Sequence, residues 1–203
     1  MQEFLNKYSL LKNQNVPRET FFAFESFILM LIKKNEEINI IGKNTAINEV
    51  IRNRHIVDSA QIIDLIDLKG EPITDIGSGG GMPGIIISIM IKNMKKNVKV
   101  NLYEKSHHKS SFLRKVSRDL ELNTEVIQKD IFEEQSLETG TIMARAFKPM
   151  PVVLELVYKN FKNYKNLILF MGKNGEKALQ ESLEIWDFDY DKKKVLQVKN
   201  HFC

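Results

Sequence analysis

The chain has 203 residues and a formal net charge of +4, from 30 Lys and Arg against 26 Asp and Glu. That length favours one domain, or one domain with an extension, and the mild basicity is compatible with RNA without selecting it. The single cysteine, Cys203, excludes a disulfide framework and a cysteine-based zinc site. The longest apolar-rich run, Phe21 to Ile32, contains Glu25 and is too short to span a bilayer. Met1-Gln2-Glu3-Phe4 shows no basic stretch leading into an apolar core, so a cytoplasmic protein is expected.

A short first helix is expected from Gln2 to Lys12. Pro17 suits the first position of a second helix. Phe21, Phe24, Ile28, Leu31 and Ile32 recur at helical spacing, so this helix is amphipathic, ends near Lys33-Lys34-Asn35 and packs on the main domain. Gly42 interrupts the chain. From Asn44-Thr45 a helical region is expected to about Leu68, carrying Arg52, Arg54, His55, Asp58 and Ser59. Ile73 to Ile76 reads as the end of a buried strand. The glycines that follow cannot continue it, and they permit positive φ and a tight turn. Ile85 to Ile91 then reads as a packed helix. Strand, glycine turn and helix make a nucleotide-binding βα unit: a ligand can lie on bare backbone, and the helix start offers unpaired N–H groups. Spaced glycines each lower stability unless something uses them, which ranks this reading above a plain glycine-rich turn.

The turn itself narrows the ligand. A dinucleotide fingerprint has Gly or Ala at its sixth position, where this chain has Met82. No Gly-Lys-Ser/Thr follows, which excludes a P-loop. Asp75 ahead of Gly77, Gly79 and Gly81 resembles the class I S-adenosylmethionine (SAM) methyltransferases. The wider string Asp75-Ile76-Gly77-Ser78-Gly79-Gly80-Gly81-Met82-Pro83-Gly84 resembles the bacterial small-subunit ribosomal RNA guanine-N7 methyltransferases, the glucose-inhibited division protein B family. Arg54-His55-Ile56-Val57-Asp58-Ser59 is similar to that family's Arg-His-x-x-Asp-Ser, and Asn39 to an asparagine seen just before it. Two readings of this segment stand side by side: it closes over the cofactor or meets RNA, or it is a capped, salt-bridged helix with His55 a hydrogen-bonded core histidine.

Val98, Val100 and Leu102 alternate with polar residues and form a strand ending at Glu104. An acid roughly 20 residues beyond the glycines is expected to hold a ribose. Ser106-His107-His108-Lys109 opens a helix with Phe112, Leu113, Val116 and Leu120 on its buried stripe. His107 and His108 are neighbours that cannot share one helical face, and they read as solvated. Glu125 to Gln128 is a third strand. The resemblance places adenine contacts in the next turn, at Ile131 and Phe132, with Asp130 or the backbone reading the exocyclic amine, because many members carry an acid at the Phe132 position. Thr141 to Phe147 is a fourth strand, and Arg145-Ala146-Phe147 resembles the family's Ser-Arg-Ala. An arginine in a buried strand is costly unless paired or at a mouth. It is either a structural partner of Asp75 or Glu104 or, as favoured, a site residue touching cofactor or RNA phosphate. Pro149 and Pro151 lead into a helix, Val152 to Tyr158. Leu167 to Met171 is a fifth strand, and Gly172-Lys173-Asn174-Gly175 resembles a Lys-Gly sequence where a lysine faces RNA. A helix from Glu176 to about Trp186 and a strand candidate, Val195 to Lys199, complete the chain. The family's last antiparallel strand is expected to be short or missing.

The expected fold is a doubly wound α/β sheet of the class I SAM methyltransferase type. Residues 1–68 are expected as a helical extension packed on a SAM-binding core, 69–203, in one structural unit. The resemblance implies methyl transfer from SAM to N7 of a guanine in 16S ribosomal RNA. Cofactor contacts are then expected at Asp75, Gly77, Gly79, Gly81, Met82, Glu104, Asp130, Ile131, Phe132 and Arg145, and RNA contacts at Arg52, Arg54, His55 and Lys173. No metal is expected. Guanine N7 is an in-plane acceptor that needs no deprotonation, so no catalytic acid or base is assigned; alignment carries the reaction, with Arg145 given an orienting role. The expected partner is 16S ribosomal RNA, naked or within the small subunit, met by a monomer away from any membrane. Rival readings are a SAM methyltransferase acting on a protein or small molecule, and a nucleotide-binding regulator or oxidoreductase without methyl transfer.

Overall fold

A computed structural model describes residues 8–14, 16–42 and 45–194. The Val195 to Lys199 strand candidate and the start of the Gln2-to-Lys12 helix lie outside them. Within them, Ser9–Gln14 is a 3-10 turn rather than part of an α-helix.

Helix α1, Arg18–Glu37, follows extended Pro17 and buries Phe21, Phe24, Phe27, Ile28 and Leu31; of the expected stripe Ile32 is only half-buried, and Phe27 takes a place in it. Just past its last turn, the Asn35 side-chain oxygen accepts the N–H groups of Ile40 at 2.8 Å and Ile41 at 2.9 Å, which turns the chain back over the domain. The next helical stretch, α2, is built in three pieces: Asn48–Ile51, Arg52–Val57 and Asp58–Ala60. Its middle piece is a π-helix, a wide turn found mostly at functional sites. Of the helical region expected to about Leu68, the continuous helix stops at Ala60, and a 3-10 turn, Ile63–Leu65, follows.

The sheet contains β1 (Ile73–Ile76), β2 (Val100–Tyr103), β3 (Thr124–Ile127), β5 (Thr141–Arg145) and β7 (Asn166–Phe170) in the order β3-β2-β1-β5-β7. Every pairing among the described residues is parallel. Helices α3 (Gly84–Asn93), α4 (His107–Asp119), α5 (Met150–Asn160) and α6 (Gly175–Leu183) connect or follow the strands. A separate short parallel pair, β4 (Leu137–Glu138) with β6 (Phe161–Lys162), had no signal in the sequence. The doubly wound sheet expected from strand and helix alternation is thus the fold that forms.

Alternation along each strand sorts the core into two layers. Ile73, Val100, Leu102 and Met143 face the side covered by α1, α2, α3 and α4. Ile76, Tyr103, Ile142 and Ala144 face α5. Helix α3 lies between the sheet and α1, so Gly84 to Ile91 are all buried. By the same alternation Asp75 and Arg145 point to the α2–α3 side. Strand order reverses between β1 and β5, and open α/β sheets bind ligands outside the strands' carboxyl ends at that reversal. No helix among the described residues is long and apolar enough to cross a membrane.

One buried cluster ties α1 to α2. Arg52 Nε donates to Glu25 Oε1 at 2.7 Å and Nη2 to Oε2 at 2.9 Å, while the Tyr8 hydroxyl donates to Oε1 at 2.7 Å. Burial, then Glu25, pushes the Tyr8 hydroxyl far above its usual range. Arg52 is 8% exposed, so its expected place on an RNA-facing rim is corrected: the guanidinium faces inward, where Glu25 neutralises it. Glu25→Ala would leave that cation buried without its carboxylate. An expected loss of about 3 kcal/mol follows, while Arg52→Met costs less, because the carboxylate it leaves is more exposed, 23% against 10% for the arginine side chain, and can take up a proton. Urea midpoints of the two variants check this order; equal midpoints would show the pair to be solvent-screened.

Candidate functional site

The site begins where β1 ends. Gly77, Gly79 and Gly81 have φ of 69°, 53° and 95°, the left-handed region that glycine adopts freely. The Ser78 N–H donates to the Tyr103 carbonyl at 2.9 Å, and the Gly81 N–H to Ser78 at 2.6 Å, so the turn folds back over the ends of β1 and β2. Beneath it Asp75 Oδ2 accepts the Gly84 N–H at 3.0 Å, placing a carboxylate at the start of α3, where unpaired N–H groups and the helix dipole favour an anion. A methyl group at Gly84 would meet Leu102 Cδ2 at 2.3 Å and Asp75 Oδ2 at 2.5 Å, so this contact needs a glycine. Asp75 is 1% exposed and its Oδ1 has no partner. Burial pushes its carboxyl up to about 7, against the pull of Ser78 and the Gly84 N–H; Glu104 adds to the rise and Arg145 opposes it.

Glu104 closes the other side of the turn. Oε2 accepts the Gly79 N–H at 2.9 Å and Oε1 the Ser106 N–H at 2.7 Å. The expected ribose acid thus holds the glycine turn to the start of α4, and a ribose hydroxyl would have to share or replace one of those N–H donors. Met82 packs beside the turn, 9% exposed. After β3, Asp130 Oδ1 accepts the Phe132 N–H at 3.2 Å and Oδ2 meets Lys105 at 3.3 Å. Ile131 is buried, Phe132 is 44% exposed, and Asn160 donates to the carbonyls of Ile131 at 3.3 Å and Glu134 at 2.5 Å. This turn therefore has a fixed backbone and one open ring.

Arg145 supplies the link to α2. Nη1 donates to the His55 carbonyl at 3.3 Å and to Ser59 Oγ at 3.1 Å; Nη2 donates to the Arg54 carbonyl at 2.5 Å and lies 3.6 Å from Asp58 Oδ2. The Arg54 and His55 carbonyls come from the π-helical piece of α2, and the Asp58 and Ser59 side chains from the α-helical piece that follows it. Asp58, rather than Asp75 or Glu104, is the ion-pair partner. Arg145 also stacks over Phe170 at 5.4 Å. Burial lowers its pKa, with Asp58 and Asp75 acting the other way. Both terminal nitrogens are engaged inside the fold, so an open phosphate contact by Arg145 is corrected to a tie between β5 and α2.

His55 Nε2 is buried without a partner, and burial, then Arg145 and Arg54, pushes its pKa down to about 4. A half-buried, neutral imidazole at neutral pH stands against the expected RNA contact, and its Nε2 lacks the hydrogen bond that the core-histidine reading expected. Arg54 and Lys173 are exposed, Lys173 in the turn after β7. His107 and His108 are exposed at the start of α4, and the described residues hold no group of three or more metal-ligating side chains. Sequence reading missed the mating of the two motifs. The available signal was Asp58 and Ser59, adjacent polar side chains able to meet one cation; the contacts at 54 and 55 are backbone carbonyls that any residue supplies.

Comparison with known proteins adds the following. The family described as rRNA small subunit methyltransferase G matches residues 22–202. The Ribosomal RNA small subunit methyltransferase G of Pelagibacter ubique (strain HTCC1062) is 69% identical over 202 residues, covering 100% of this chain and 95% of that protein. Its namesake in Rickettsia felis is 34% identical over 193 residues, covering 91% and 96%. Among solved structures, a putative protein-L-isoaspartate O-methyltransferase from Plasmodium falciparum is similar at 18% identity and a TM-score of 0.47, covering 83% of this chain and 84% of that one.

Proposed function

The chain belongs to the rRNA small subunit methyltransferase G family, and from that membership we propose that it transfers the methyl group of S-adenosylmethionine to N7 of a guanine in 16S ribosomal RNA. The observation that carries this reading is the glycine turn at the strand-order reversal, with Glu104 bonded to Gly79 and a buried, half-satisfied Asp75 beneath. These residues fit the cofactor. Gly77, Gly79 and Gly81 offer bare backbone, Glu104 offers acceptors for ribose hydroxyls, and Ile131 and Phe132 offer an apolar side for adenine. Asp75 places an unpartnered oxygen under a cationic ligand, where a positive charge would favour its ionised form.

When bound, S-adenosylmethionine supplies an electrophilic methyl carbon. The protein's own residues need not remove a proton, because guanine N7 presents an in-plane lone pair. Asp75 is pinned to Gly84 and His55 is neutral, and neither is required as a base. What remains is orientation: Arg145 fixes α2 against the end of β5, and Glu104 fixes the turn against α4. Arg54 and Lys173 are exposed cations for RNA phosphates, and a ribosomal RNA substrate supports a reaction in the cytoplasm.

Methyl transfer to naked RNA, assembled small subunits and protein, followed by mapping of modified nucleotides, tests the substrate; methylated protein with unmodified RNA would replace this reading. Arg54→Ala and Lys173→Ala are each expected to flatten the salt dependence of RNA binding by about 0.7 in log–log slope, with S-adenosylmethionine affinity near the parent's. An unchanged slope in both would remove them from the RNA surface.

A further inference from the structure

Phe147 lies where two crevice walls meet. Arg145 is pinned to α2, and Ala146 has φ of 48°, a conformation rare for a residue with a side chain. That turn lays the Phe147 ring on Gly77: a methyl group built there would sit 2.3 Å from Cδ2 and 3.0 Å from Cε2. The Phe132 ring, 44% exposed, lies 6.0 Å away at an interplanar angle of 23°. One ring comes from the loop after β5 and the other from the turn after β3. Phe147 covers the first glycine of the turn, at the reversal point between β1 and β5, and Phe132 lies against Phe147.

Resting on the reading above, we propose that Phe147 is a positioning residue for the target guanine. Its ring leaves Gly77 when the cofactor takes the turn and then stacks on the face of the base, with Phe132 beside it. Three observations carry this. First, a ligand that uses bare backbone at Gly77 cannot share that surface with the ring. Second, the ring cannot travel far, since Arg145, two residues back, is tied to α2 by hydrogen bonds to Arg54, His55 and Ser59, so a ring displaced from Gly77 stays at the mouth of the crevice. Third, the chemistry favours a ring. A base withdrawn for reaction loses its stacked neighbours, and aromatic side chains replace them. A hydrogen-bond donor aimed at N7 would consume the lone pair that reacts, whereas stacking engages the π face and leaves the in-plane lone pair free.

The test uses the full chain and small subunits from cells lacking this enzyme. Phe147→Leu is expected to bind S-adenosylmethionine as tightly as the parent or more so, and to lose roughly 10- to 100-fold in kcat/KM for subunits, the range of one lost base–aromatic contact. Phe147→Trp restores most of that, and neither variant alters the salt slope. In a Trp186→Phe background, which removes the chain's one tryptophan, the indole of Phe147→Trp is expected to be quenched when subunits are added with S-adenosylhomocysteine. Tighter cofactor binding by Phe147→Leu with parental turnover would show the ring to be only a filler of the empty crevice and would overturn the proposal, as would an unquenched indole. A parent that binds cofactor but methylates no RNA would instead remove the functional reading on which this one rests.

Discussion

Gly77→Val is expected to abolish measurable S-adenosylmethionine binding, a loss of at least about 100-fold, while the sheet survives. Two separate penalties act at this position. A φ of 69° puts a β-branched residue in the left-handed region, at a cost of roughly 1–2 kcal/mol. Its Cβ would also lie 2.3 Å from the Phe147 ring. That ring stands at the mouth of a crevice and can yield, so the fold is damaged less than the ligand's path. Gly79→Val meets nothing closer than the Gly77 carbonyl at 3.7 Å, so only the φ of 53° and the lost backbone surface count. Gly84→Ala is the opposite case. Its Cβ would strike Leu102 and Asp75, both buried in close-packed surroundings with no space to move into. We expect Gly84→Ala to lower the melting temperature more than Gly79→Val, and Gly77→Val to show the larger binding defect. Calorimetric affinity and thermal melts on the same preparations check both orders, and parental affinity in Gly77→Val would remove the turn from the cofactor site.

Asp75→Asn is expected to stabilise the protein above pH 7 and to weaken its cofactor binding. In the folded chain the Asp75 carboxyl titrates at about 7 instead of 3.8. Between those values the folded state keeps a proton that the unfolded state has lost, so this group's contribution is full below 3.8 and is lost as pH rises to about 7. His55 runs the other way. Its folded value is about 4 instead of 6.5, so its contribution is present above 6.5 and is lost as pH falls toward 4. The two slopes oppose each other between about pH 4 and 6.5. Asn accepts the same Gly84 N–H and removes the buried acid, so the stability of Asp75→Asn relative to the parent should climb with pH by up to about 1.4 kcal/mol per unit. His55→Gln should show the reverse difference. Asp58, raised by burial against the pull of Arg145 and Arg54, titrates in both proteins and drops out of the comparison. Urea midpoints from pH 4.5 to 8 measure these differences. A flat difference for Asp75→Asn would mean that Asp75 is ionised throughout. The same carboxyl links pH to binding: a cationic ligand above it draws off the proton, so affinity should fall with pH below about 7, at most tenfold per unit. Calorimetry in buffers of different ionisation enthalpy counts that proton.

Local pattern determined a good part of this molecule. Period-two alternation at Val98, Val100 and Leu102 and the helical stripe of α1 state which face is buried, because burial acts on each side chain separately. The glycines state where backbone must turn, because positive φ is a property of the residue itself. Glu104 could be placed by its distance from that turn. Contacts between distant segments could not be placed in this way. Arg145 lies 86 residues beyond Ser59 and 90 beyond His55, and either Asp75 or Glu104 was an equally good partner on paper. The order β1-β5 and the path of α2 decided for Asp58, by bringing two carbonyls of its π-helical piece and the Asp58 and Ser59 side chains that follow around the guanidinium. Arg52 was a surface cation by composition and became a buried one through Glu25, 27 residues away. His55 was open on paper to an RNA contact or a core place, and burial beside Arg145 decided for a neutral, inward imidazole. Phe147 against Gly77 arises from two loops at neighbouring strand ends. Charge, aromaticity and conformational freedom belong to single residues and are written in the chain; which charge is neutralised, and which ring covers which glycine, is a matter of three-dimensional adjacency, and only the packed sheet supplies it.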